Sequence, residues 1–135
     1  MTNPLIFITT YPVKPGELDE FKLFIGRLLD ALEANEPRAL AINAYLAADG
    51  TEASIVLIVP DADAIKRYWR VVHQHSGQTL GSLVENPTSV QIYGAMDDLM
   101  LERTRHSAGS GVTVSAMPGS IGGFTRLGLT GTSNA

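Results

Sequence analysis

The chain has 135 residues, a formal net charge of -4 and no cysteine, with 44% apolar and 18% charged residues. That length suits one core, since single domains run to about 100 to 200 residues, and the composition is that of a folded chain and not a disordered one. The missing cysteines exclude disulfides, thiolate nucleophiles and cysteine-ligated zinc or iron–sulfur centres. The acidic balance lacks the clustered Lys and Arg that nucleic-acid binding needs.

Met1-Thr2-Asn3-Pro4 leads into an apolar run with no basic segment ahead of it, so the start reads as a strand and not a signal peptide. No apolar run approaches the roughly 18 residues of a membrane span. A cytoplasmic setting without a membrane partner is the default expectation. Leu5 to Tyr11 is β-branched and aromatic enough for a first strand, closed by the turn Lys14-Pro15-Gly16. From Glu17 the apolar residues Leu18, Phe21, Ile25, Leu28, Leu29 and Leu32 recur at helical spacing, with acids in the first turn, and this helix should end by Glu36, before Pro37.

Leu40 to Ala47 and Ala53 to Val59 flank Asp49-Gly50, a tight-turn dipeptide, and so read as an antiparallel pair of strands. Asp63 is placed to cap a second helix with the stripe Ile65, Tyr68, Trp69 and Val72, breaking at Gly77. Lys66, Arg67 and Arg70 form the most basic stretch and read as a solvated helix face. Gln78 to Glu85 allows a short helix, Thr88 to Gly94 a fourth strand with Val90 and Ile92 on one side, and Asp97 or Asp98 caps a third main helix running to Arg105.

The order βαββαβ is the split βαβ, ferredoxin-like arrangement of the α+β class: an antiparallel sheet with both helices on one face. Residues 1–106 form this domain with its extra C-terminal helix. Residues 107–135 form a glycine-rich extension with seven glycines and one charge, Arg126. Val112 to Met117 within it reads as an added or exchanged edge strand, and the chain is expected to fray after about residue 128.

A sheet covered on one face normally alternates apolar and polar residues, yet Leu5 to Ile8 and Ile55 to Val59 are apolar at every position. Each large side chain left in water forfeits about 1.5 to 3 kcal/mol. A homodimer that covers the bare face is the expectation, with the tail folding back over it as the competing one.

The run Leu5-Ile6-Phe7-Ile8, the turn Lys14-Pro15-Gly16 and the acidic helix opening Glu17-Leu18-Asp19-Glu20-Phe21 resemble the start of dimeric α+β barrel proteins of the antibiotic-biosynthesis-monooxygenase type. The likeness extends over about residues 4–95. It implies a homodimer with facing sheets and a mainly apolar pocket between sheet and helices, in a group that includes cofactor-independent oxygenases, isomerases and haem-degrading enzymes. The strand asparagine of the haem-degrading branch has no counterpart among Ile6, Ile8 and Thr9 of the first strand. The fold hosts several functions and warrants none alone.

His73 and His75 are the candidate proton acceptors, because imidazoles change charge near neutral pH. On a helical wheel they flank the apolar stripe on opposite sides, which argues against a shared metal, and His75 is preferred as base for its place near the helix end. Each could equally be a half-buried border residue.

Asn43 shares a strand face with Tyr45, and Gln91 with Tyr93, and the four could converge on one cavity, bond across the sheet or line the dimer contact. Tyr68 and Trp69 could form a flat wall for an aromatic ligand or simply pack in the core. Arg126 could anchor a carboxylate or stay in solvent. No cofactor or metal is expected. Two functions follow: a cofactor-independent monooxygenase or isomerase for a small aromatic or polyketide-like molecule, and a non-catalytic binding or accessory protein for a small apolar molecule.

Overall fold

The computed structural model describes residues 4–76, 78–109, 111–124 and 126. In chain order its elements are β1 (Leu5–Pro12), α1 (Leu18–Asn35), β2 (Ala41–Leu46), β3 (Glu52–Val59), α2 (Ala62–Ser76), α3 (Thr79–Leu83), β4 (Ser89–Tyr93), α4 (Asp98–Ala108) and β5 (Thr113–Met117). The strands form one sheet in the order β2-β3-β1-β4-β5. β1 pairs antiparallel with β3 and β4, and β2 antiparallel with β3, which is the ferredoxin-like α+β arrangement.

The sheet is mixed and not wholly antiparallel, because β5 runs parallel to β4 at the edge. A hairpin would reverse the chain, whereas the α4 crossover between β4 and β5 brings it back in the same direction. Part of the glycine-rich extension thus belongs to the chain's own sheet. The stretch after residue 128 that was expected to fray, and the Gly77 expected to break α2, lie outside the described residues.

Local chemistry sets the element ends. Gly50 turns the β2–β3 connection at φ +75°, a conformation open chiefly to glycine, and a Cβ there would come within 2.9 Å of the Leu18 side chain. Asp49 steadies the same loop by accepting from the Thr51 amide and hydroxyl at 3.0 and 2.7 Å. The cap of α2 is Asp61, which accepts from the Ala64 amide at 3.0 Å. Asp63, expected in that role, lies already inside the first turn, where its carboxylate faces Arg38 at 3.5 Å. Asp97 caps α4 by accepting from the Met100 amide at 2.8 Å.

Strand alternation divides the sheet into two faces. Toward the helices point Leu5, Phe7, Leu57, Val59, Val90 and Ile92, which cluster with Ala64 and Ile65 of α2 and Met100 of α4. Beside them Val13 and Ala53 pack against Phe21, Phe24, Ile25, Leu28 and Leu32 of α1. The other face carries no helix. Its residues fall into three rows across the strands: Ala41, Ile58, Ile6, Tyr93 and Met117; Asn43, Val56, Ile8, Gln91 and Ser115; Tyr45, Ser54, Thr10, Ser89 and Thr113. The row at one end is mainly apolar and the row at the other is polar, with Thr10 and Ser54 sharing a hydrogen bond of 2.7 Å.

Candidate functional site

Beneath α2 the helix-side face of the sheet encloses a cavity of about 90 Å³, lined by Phe7, Thr9 and Tyr11 of β1, Ile55 and Leu57 of β3, and Tyr68, Trp69 and Val72 of α2. The walls follow from two periods. Phe7, Thr9 and Tyr11 alternate onto one strand face, while Tyr68, Trp69 and Val72 continue the helix stripe begun by Ile65.

Two phenols are the cavity's ionisable groups. Burial raises Tyr68 well above the usual phenol range, with Tyr11 nearby adding to the shift, and burial raises Tyr11 as well. Both stay protonated at neutral pH and can donate a hydrogen bond to an oxygen that gains negative charge. Trp69 meets Phe7 edge to face, with ring centroids 5.9 Å apart and planes at 82°.

Trp69 also walls a second space. On the outer side of α2 a groove of about 710 Å³ runs between α2 and α4, lined by Lys66, Trp69 and Arg70 on one side and Met100, Glu102, Arg103, His106 and Ser107 on the other. Drug-sized ligands occupy pockets of about 300 to 1,000 Å³. The groove is in that range and the cavity beneath α2 is well below it.

The residues singled out from sequence fall in three places. Tyr68 and Trp69 line the cavity beneath α2. His73 and His75 are exposed on α2 and line neither the cavity nor the groove. Asn43, Tyr45, Gln91 and Tyr93 all lie on the sheet face without helices, the face opposite Tyr68 and Trp69. Asn43 and Gln91 share a row but are three strand spacings apart, about 14 Å.

Tyr93 borders an open concavity of about 670 Å³ on that face, with Ile6, Ile58, Met117, residues 119–124 and Arg126. The Arg126 guanidinium stacks 4.5 Å above the Phe124 ring. Sequence reasoning missed Thr9, Tyr11 and the α4 side of the groove. Tyr11 shares the two-residue period of Phe7 along β1, but Leu5 to Ile8 is apolar at every position and so does not mark which face of that strand the helices cover. Among the described residues no three His, Asp or Glu side chains are grouped to hold a metal ion, and no helix is long and apolar enough to cross a membrane.

No family model and no curated protein matches the sequence. Solved structures do match. MupZ from Pseudomonas fluorescens superposes with a TM-score of 0.71 at 13% identity, over 96% of this chain and 94% of that one. SnoaB, a cofactor-independent oxygenase from Streptomyces nogalater, gives 0.58 at 18% identity over 73% of this chain and 98% of its own. A protein assigned to the antibiotic biosynthesis monooxygenases from Caulobacter crescentus CB15 gives 0.60 at 16% identity over 70% and 92%. Of these three, MupZ alone is matched along nearly the whole chain. At such identities the likeness speaks for architecture: this chain has the α+β fold of the antibiotic-biosynthesis-monooxygenase-like proteins.

Proposed function

We propose that the cavity beneath α2, about 90 Å³ as it stands, widens to admit a small aromatic or polyketide-like molecule against its Tyr11, Tyr68 and Trp69 side, and that the protein acts on it as a cofactor-independent monooxygenase or isomerase. The observation that carries this reading is the pair of half-buried phenols, both with raised pKa, in a cavity otherwise lined by apolar side chains and Thr9. An ionised phenol or enol can pass an electron to oxygen or move a proton within itself. The protein then needs only a dry site and donors for the oxyanion. The names of SnoaB and the Caulobacter protein lend support by fold.

His73 and His75 open to solvent and not to the cavity, so in this reading a ligand acidic enough to ionise unaided replaces a protein base. The test is oxygen uptake with a readily ionised anthrone such as 1,8-dihydroxyanthrone. Uptake that depends on the protein and drops in Tyr68→Phe is expected; uptake equal to the protein-free rate refutes catalysis.

The absence of imidazole or carboxylate from the cavity walls favours a second reading, a non-catalytic binding protein. It predicts that the anthrone binds and is recovered unchanged. In either case we infer a homodimer formed through the helix-free sheet face, supported by the half-exposed Ile6, Ile8, Val56 and Ile58 and by Met117, which is 62% exposed.

A further inference from the structure

Lys66 and Arg70 lie one helical turn apart on α2, a spacing at which like charges repel, and Arg103 faces them from α4 across the groove. Taken from the α2 sequence alone, the first two are a solvated helix face; the third cation, from a different helix, turns the face into one wall of a site. Among the described residues none of the three has a carboxylate within 4 Å, whereas Arg38, between α1 and β2, and Arg67, on α2, each do. Glu102 is the one acid lining the groove. A chain with a net charge of -4 thus gathers three unneutralised cations around a space of ligand size.

The floor of the groove is apolar. Met100 is buried there, and Trp69, whose ring packs edge to face with Phe7, also lines the groove. Cations at the rim and an indole on the wall suit a molecule with an anionic end and an apolar ring.

We infer that the α2–α4 groove takes the carboxylate of the ligand, held by Lys66, Arg70 and Arg103, while the ligand's aromatic body lies along Trp69. The inference rests on the function proposed above, in that Trp69 is the wall common to the groove and the cavity beneath α2. It adds a substrate class, aromatic carboxylates.

Trp69 is the chain's one tryptophan, so its emission reports on the groove and on the cavity beneath α2, both of which it lines. The full-length protein is titrated with 3-phenylpropanoate, with its neutral counterpart 3-phenylpropan-1-ol, and with inorganic phosphate. The acid should change Trp69 emission saturably and bind at least about fivefold more tightly than the alcohol. Arg70→Gln and Arg103→Gln should each weaken the acid by about fivefold or more and leave the alcohol unchanged. Arg105→Gln, on α4 but outside the groove lining, should affect neither. Circular dichroism confirms that the variants fold.

Equal binding of acid and alcohol, insensitive to the charge variants, overturns the carboxylate site and leaves the aromatic cavity standing. Phosphate displacing the acid at equal affinity overturns it in favour of a bare anion site. A flat Trp69 signal with both phenyl compounds overturns this inference and the aromatic-ligand reading together.

Discussion

The Trp69 indole and the Phe7 ring pack edge to face with centroids 5.9 Å apart, and Trp69 is the wall shared by the cavity beneath α2 and the groove between α2 and α4. Trp69→Ala removes both the ring pair and the partition. Because the indole is half-buried and not wholly enclosed, the expected loss is about 2 to 3 kcal/mol, below the usual range for fully buried aromatics. Trp69→Phe keeps an aromatic edge against Phe7 and should lose less. Urea unfolding followed by circular dichroism measures both, and an alanine variant as stable as the parent would contradict the packing described.

Stability should fall on the alkaline side. Tyr11 and Tyr68 have phenol pKa values raised in the folded state, chiefly by burial. The folded state therefore keeps protons that the unfolded state releases above about pH 10. Their contribution is complete below the unfolded phenol pKa and is lost as pH rises through it toward the folded values. Each phenol held back lowers stability by about 1.4 kcal/mol per pH unit in that window. Urea midpoints between neutral pH and strong alkali should decline less steeply in Tyr68→Phe than in the parent; identical slopes would mean that Tyr68 titrates freely.

Much of this fold is legible in the sequence because two short periods write it there. The stripe Ile65, Tyr68, Trp69 and Val72 marks both α2 and the inner wall of the cavity. What the pattern does not carry is which strand face the helices cover. Leu5 to Ile8 is apolar at every position, so alternation cannot assign Leu5 and Phe7 to the core and Ile6 and Ile8 to the open face.

That ambiguity let Asn43, Tyr45, Gln91 and Tyr93 be read as cavity residues. The exposure of the two histidines is illegible for a related reason, since a wheel position at the stripe's border is buried or exposed according to how the helix is rolled on the sheet. Arg103 lines the same groove as Lys66 and Arg70 from a helix far away in the chain, a juxtaposition that no local period encodes.

Arg67 should matter to stability although it is on the surface. Its Nε is 3.5 Å from Oε2 of Glu36, a side chain that is only 1% exposed. That oxygen has no hydrogen bond, while the backbone amide of Arg38 donates to Oε1 at 3.0 Å. Arg67→Gln leaves a buried carboxylate oxygen without its cation and should destabilise by about 1 to 2 kcal/mol, less than a fully buried pair because Arg67 itself faces solvent. Glu36→Gln in the same background should restore part of the loss. Urea midpoints for the two single variants and the double variant decide it, since an additive result would mean that the two groups do not interact.

The cap of α2 can be identified by comparing two neighbouring aspartates. Asp61→Ala removes the acceptor for the Ala64 amide and a partner of Arg38 and should destabilise by about 1 kcal/mol, the usual effect of losing a cap. Asp63→Ala should stay within about 0.5 kcal/mol of the parent. The Asp61 carboxyl is held below the usual range first by the Ala64 amide and then by Arg38. Its contribution is therefore present above the ordinary aspartate pKa and lost as pH falls through the lowered one. Thermal unfolding near neutral pH and in acid should find the two variants converging in acid.

The open sheet face gives the last prediction. Ile8 is at its centre, with Val56 and Asn43 on one side and Gln91 and Ser115 on the other, and the apolar row of Ile58, Ile6, Tyr93 and Met117 runs beside it. No helix covers these residues, so a lysine at position 8 meets water in a lone subunit and leaves the Leu5, Phe7 and Leu57 core untouched. In a dimer joined through this face the same lysine would bring an unpaired cation into the interface, where charge without a partner is strongly disfavoured. Light scattering should give twice the subunit mass for the parent and a single subunit mass for a folded Ile8→Lys. A parent protein that scatters as one subunit at high concentration would rule out assembly through this face and leave its isoleucines in contact with water.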